Sequence, residues 1–170
     1  MEAAPRLIVV GDDFAGSLRE AMEVAGKHLA SRARSEREVR DKLTGAGFDA
    51  EVSEQTLVRL TELGLVDDLA FATQWIEERT RRRSLGPRAL RAELASKGIS
   101  AEVAAEALAA LGLDEEALAT EAAATQVRKV ARYPLPEQYG RLVQALLRRG
   151  FSAEAAGAGA RAVLPPEGWD

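Results

Sequence analysis

The sequence predicts an all-α protein built from three tandem three-helix repeats. Three observations carry that expectation. A ten-residue motif occurs three times without gaps, as KLTGAGFDAE (42–51), ELASKGISAE (93–102) and ALLRRGFSAE (145–154), at spacings of 51 and 52 residues. Apolar residues recur at helical intervals, and no stretch shows useful period-2 alternation. Aromatic residues make up only 5% of the chain while alanine is abundant, which favours helices packed through small side chains over a sheet-built core.

Each copy of the motif reads as a corner between two helices. A leucine precedes a glycine by four residues (Leu43/Gly47, Leu94/Gly98, Leu146/Gly150), and a large apolar residue follows it (Phe48, Ile99, Phe151). Val39, Leu90 and Leu142 stand four residues before the leucines and share their helix face. The glycine suits the left-handed position just past a helix end. Asp49, Ser100 and Ser152 are then expected to cap the next helix, with Glu51, Glu102 and Glu154 in its first turn.

A further helix is expected before each corner. In the first repeat, Leu18, Met22, Ala25 and Leu29 form a stripe, and Ser35 with Glu38 offers a capping box for the helix that follows. In the second, Leu69, Ala72 and Ile76 share a face, with Phe71 and Trp75 read as core. Gly86-Pro87 opens the next helix there. In the third, Leu118, Ala122 and Val130 are weaker anchors and YPLPEQ ends the helix. The expected division is 1–17 variable segment, 18–66, 67–113 and 114–164 repeats, and 165–170 tail, with Trp169 frayed. Gly157 and Gly159 in the final helix each cost about 1 kcal/mol relative to Ala, so the third repeat is expected to be the loosest.

Composition excludes several classes of function. Without cysteine there is no disulfide, thiolate metal site or cysteine nucleophile. The early apolar run LIVV (7–10) is too short for a signal-peptide core or a membrane span, so a soluble intracellular protein is expected. The single histidine, His28, lies beside Leu29 in a helix and reads as packed or solvated. The acidic groups at Asp67-Asp68 and Asp114-Glu115-Glu116 begin helices and complement their free N–H groups; a third pair is Asp12-Asp13. No phosphate loop, nucleophile elbow or metal-ligand spacing occurs. No catalytic residue, metal or cofactor is therefore expected.

One feature stands out against a net charge of −4: RTRRRSLGPRALR (79–91) carries six arginines in thirteen positions. The helix dipole favours Arg81, Arg82 and Arg83 in a last turn, and Glu77→Arg81 and Glu78→Arg82 are favourable i,i+4 pairs. Arg79, Arg83, Arg88 and Arg91 are left without an evident partner. Basic helix ends recur at Arg32 and Arg34, at Arg128, Lys129 and Arg132, at Lys97 and at Arg148-Arg149. The candidate partner- or DNA-binding residues are Arg79, Arg82, Arg83, Arg88, Arg91, Lys97, Arg148 and Arg149. The alternative is a solvated, locally paired surface. An acidic chain with no aromatic platform among the arginines favours docking on protein over general DNA binding. A helix-turn-helix DNA binder, with Arg88 and Arg91 opening a recognition helix, and a helical scaffold for another partner are the rival readings.

Four segments in order, RSEREVRDKL (34–43), LGLVDDLAFA (63–72), GPRALRAELASKGI (86–99) and LLRRGFS (146–152), resemble the RecX family of regulators of the recombinase RecA. The resemblance covers roughly residues 18–164. It implies an elongated, curved array of three-helix repeats that binds along the RecA–DNA filament; separately, a monomer is expected, with oligomeric state left open. The resemblance further implies suppression of the filament's ATPase, strand-exchange and coprotease activities, in a bacterial cytoplasm and within DNA repair. Direct contact with single-stranded DNA stays open on these grounds.

Overall fold

The computed structural model describes residues 10–165, with side chains from residue 13 onward. Expectations for residues 1–9, for the Asp12 side chain and for Trp169 lie outside the described residues. Nine helices form among them: α1 (Val10–Leu29), α2 (Glu36–Gly45), α3 (Ala50–Glu62), α4 (Asp68–Arg83), α5 (Pro87–Ser96), α6 (Ala101–Leu111), α7 (Glu115–Val130), α8 (Leu135–Arg148) and α9 (Ala153–Val163). The first helix thus starts well before Leu18, and Phe14 on it packs against the core.

The three corners share one geometry. Gly47, Gly98 and Gly150 take φ values of 91°, 81° and 87°. The N–H of the apolar residue after each glycine reaches back to the motif leucine: Phe48 to Leu43 at 3.2 Å, Ile99 to Leu94 at 3.1 Å, Phe151 to Leu146 at 3.2 Å. The glycine N–H bonds one residue further on, which completes a Schellman closure each time. Asp49, Ser100 and Ser152 then cap α3, α6 and α9 through the N–H groups of Val52, Val103 and Ala155. Ser35 and Glu38 form the capping box on α2, and Gly86 precedes Pro87 at the first position of α5.

The chain divides into two compact units, one through Asp68 and one from Leu69 onward. In the first, α1–α3 enclose Ala21, Ala25, Val39, Leu43, Leu57 and Leu60. Asp68, the first residue of α4, is tied into this unit: its Oδ1 accepts the Glu36 N–H at 2.8 Å, at the start of α2.

The second unit holds two three-helix groups. In α4–α6, Phe71, Ile76, Leu90, Leu94 and Ile99 form the centre. In α7–α9, Ala119, Ala122 and Ala123 face Ala155 and Ala156, with Leu146 and Phe151 beside them. The two glycines from which a loose third group is expected sit in packed surroundings. Gly157 and Gly159 are buried, and a Cβ on Gly159 would stand 2.7 Å from the carbonyl carbon of Ala119. The glycine lets two helix backbones approach closely, so its propensity penalty is offset by packing that a larger residue would prevent.

Candidate partner-binding surface

The arginine-rich stretch spans the end of α4, a short turn and the first turns of α5. The turn is tight: Ser84 adopts φ 48°, a left-handed value that costs a non-glycine residue on the order of 1–2 kcal/mol. It is held by the α8–α9 corner. The Gly86 N–H donates to the Arg149 carbonyl at 2.9 Å and the Arg88 N–H to the Gly150 carbonyl at 3.1 Å. Arg149 Nη1 donates in turn to the Arg83 carbonyl at 2.6 Å. The approach requires glycine on both sides, since a Cβ on Gly86 would meet the Gly150–Phe151 peptide and one on Gly150 would collide with Ala89.

This docking gathers four of the eight candidate residues. Arg82, Arg83, Arg148 and Arg149 line one cleft of about 640 Å³, together with Ser84 and Thr125. Arg82 pairs with Glu78 at 3.1 Å, as expected from their spacing. Arg81, Arg148 and Arg149 make no ion pair among the described residues. Close to this cleft in sequence, Arg88 and Arg91 are exposed on α5, again without an ion pair among the described residues.

Arg79 and Lys97 belong to a different cluster. The expectation that Arg79 lacks a partner is corrected: its Nε lies 2.7 Å from Glu93 Oε2, and its guanidinium stands 4.1 Å from the centre of the Trp75 ring. Lys97 approaches the same ring at 5.2 Å, and the indole N–H donates to Glu93 at 2.9 Å. Arg83 also reaches Glu93, at 3.9 Å. Glu93 sits 14 residues after Arg79, on the next helix, so no helical spacing rule announces the pair. Trp75 is half-buried and stacks on buried Phe71 at 5.8 Å, so the aromatic pair is core at Phe71 and cluster wall at Trp75.

Sequence reasoning missed a second concave surface. Between the end of α7 and α8 lies a cleft of about 660 Å³ lined by Lys129, Arg132, Tyr133, Glu137, Arg141 and Arg148, among others. Tyr133 has Arg141 over its ring at 3.8 Å and Arg132 at 4.9 Å. An aromatic ring therefore does stand among the arginines, at the turn where YPLPEQ was read only as a helix stop. Arg141 is held on Glu137 at 2.7 Å, and that hydrogen bond raises its already high pKa.

Elsewhere the geometry offers less. His28 is half-buried on α1, and burial, with Arg34 and Lys42 nearby, lowers its pKa. Among the described residues, no group of three or more His, Cys, Asp or Glu side chains could hold a metal ion, and no helix is long and apolar enough to cross a membrane.

Comparison with known proteins places this architecture. The chain matches the family models of the RecX first, second and third three-helix domains over residues 21–60, 67–108 and 114–156. It is 37% identical over 142 residues to the regulatory protein RecX of Mycolicibacterium smegmatis, covering 81% of this chain and 76% of that protein. It is 36% identical over 134 residues to the regulatory protein RecX of Amycolatopsis mediterranei, covering 78% and 77%. A 49% identical match to the regulatory protein RecX of Mycobacteroides abscessus is shorter, covering 48% of this chain and 40% of that protein. In fold it is similar to the crystal structure of RecX from Lactobacillus salivarius, at a TM-score of 0.79 and 22% identity over 86% of this chain and 96% of that one. Three matched domains in order, on three helix triplets closed by the same corner, show that the chain belongs to the RecX family.

Proposed function

We propose that this chain is a negative regulator of a RecA-type recombinase. It binds the recombinase–DNA filament in the bacterial cytoplasm and suppresses ATP hydrolysis, strand exchange and coprotease activity. Besides the family, the observation that carries this reading is the convergence of Arg82, Arg83, Arg148 and Arg149 on one cleft. Arginine's planar fork suits carboxylates on a protein partner, and such residues dominate interface energetics. Arg88 and Arg91 extend the surface on α5, whereas Arg79 and Lys97 support it through Trp75 and Glu93. In this proposal residues 18–66, 67–113 and 114–164 are the modules, 1–17 and 165–170 flank them, and the chain acts as a monomer.

The test is the DNA-stimulated ATPase rate of the cognate recombinase on single-stranded DNA, titrated with this protein. Inhibition is expected at levels too low to coat the DNA, and Arg83→Ala or Arg88→Ala should weaken it about tenfold, the effect of roughly 1.4 kcal/mol. An unchanged rate up to equimolar protein and recombinase would sink the proposal. A helix-turn-helix reading of α5 is disfavoured by the covered start of that helix, where Gly86 and Arg88 are bonded to the α8–α9 corner. A recognition helix needs that end free to enter a groove.

A further inference from the structure

The cleft between α7 and α8 has a chemistry of its own. Lys129, Arg132, Arg141 and Arg148 line it against one lining carboxylate, Glu137, which Arg141 already engages. Among the described residues the Lys129 ammonium donates to the side-chain oxygen of Gln126, at 3.0 Å. Arg132 Nη2 donates to the Tyr133 hydroxyl at 2.7 Å. Neither of these two cations, nor Arg148, makes an ion pair among the described residues. Three cations thus converge on a concave surface with their charge uncompensated, an arrangement that focuses potential on an incoming anion.

The remaining lining narrows the kind of anion. Arg141 stands over Tyr133 with its guanidinium carbon 3.8 Å from the ring centre. Tyrosine rings and arginine guanidinium planes are the groups on which planar heterocycles stack. Gln126 and Gln144 add amide donors and acceptors to the same wall. A volume of about 660 Å³ lies within the several-hundred Å³ range of small-ligand sites. A peptide carboxylate would use the cations and leave the platform and amides idle; a nucleotide uses all three.

We propose that this cleft is a nucleotide site: Lys129, Arg132 and Arg148 take the phosphate, and the Arg141–Tyr133 stack takes the base. The nucleotide arrives either free or as one unit of a single strand. Arg148 also lines the cleft formed by Arg82, Arg83 and Arg149, so the two concave surfaces meet at one side chain. That continuity gives a strand a path beyond a single unit.

The experiment uses the full chain without recombinase, so it stands or falls apart from the filament reading. Fluorescence anisotropy of a labelled oligothymidine is followed at two or more salt concentrations. Saturable binding at low salt is expected. Lys129→Ala with Arg132→Ala should weaken it at least tenfold and flatten the plot of log K against log salt by up to about 0.7, the contribution of one neutralised phosphate on a single strand. Arg19→Ala with Arg59→Ala removes the same charge from exposed positions on α1 and α3 and should cost less than threefold. Tyr133→Leu keeps an apolar side chain on the core but no ring, and should weaken binding severalfold at an unchanged salt slope. Displacement of the oligonucleotide by thymidine 5′-monophosphate identifies the free nucleotide as a ligand. Displacement only by unlabelled oligothymidine identifies the strand. No saturable binding, equal losses in the two double variants, or displacement by polyglutamate as effective as by oligothymidine would each overturn the proposal.

Discussion

Glu93 holds three groups at once: the Arg79 guanidinium, the Trp75 indole N–H and, more distantly, Arg83. Its carboxylate ties α4 to α5 just behind the basic cleft. Asp68 plays a comparable part in the first unit, where its carboxylate accepts an otherwise free N–H at the start of α2. Burial, with Glu36 and Asp67 close by, raises the Asp68 pKa above its ordinary value of 3.8. The folded state therefore binds this proton more readily than the unfolded chain does. Stability from this group is full below about 3.8 and is lost as pH rises through the raised folded value. Asp68→Asn keeps an oxygen acceptor for the Glu36 N–H and removes the titration. Urea unfolding across that window should show the variant gaining on the parent as pH rises, then a constant difference; parallel curves throughout would refute the assignment.

At the scale of elements, one corner is used three times with different surroundings. Gly47 and Gly150 have nearly the same φ, yet a Cβ on Gly47 meets open space while one on Gly150 meets Ala89. Gly47→Ala should therefore cost only the left-handed penalty, about 1–2 kcal/mol. Gly150→Ala adds overpacking of about 1–3 kcal/mol against backbone that cannot rotate away. Chemical unfolding of the two variants should separate them by at least 1 kcal/mol, and equal losses would mean that the Gly86–Gly150 approach contributes nothing. The repeated spacing of leucine, glycine, apolar residue and cap made all three corners legible beforehand. The docking of the third on the α4–α5 turn was not, because only tertiary packing brings Gly86 to Gly150.

At the scale of the molecule, that docking joins the second and third helix groups within one compact unit, separate from the unit through Asp68. Native-state hydrogen exchange should show amides of α5 and α8 opening together. In Gly150→Ala both should lose protection while α2 retains its own. Retained protection in α5 would show that the two groups open independently. The same measurement bears on α9, whose Gly159 lies against α7 and whose amides should be as protected as those of α6.

The sequence by itself determined the helices, their caps, the three corners and the family, because each depends on residues within a few positions of one another. Local hydrogen bonding and helical periodicity leave that kind of mark in a linear chain. It also marked the arginine-rich stretch, but as a single seam. Only the tertiary structure split that seam, turning Arg79 and Lys97 toward Trp75 and Glu93 while gathering Arg82 and Arg83 with Arg148 and Arg149 from another helix group. It also set Arg141 over Tyr133, next to a lysine and two further arginines, and gave Gly159 of α9 a purpose. Charge partners and close backbone approaches are made between residues distant in sequence, and no periodicity records which of them meet.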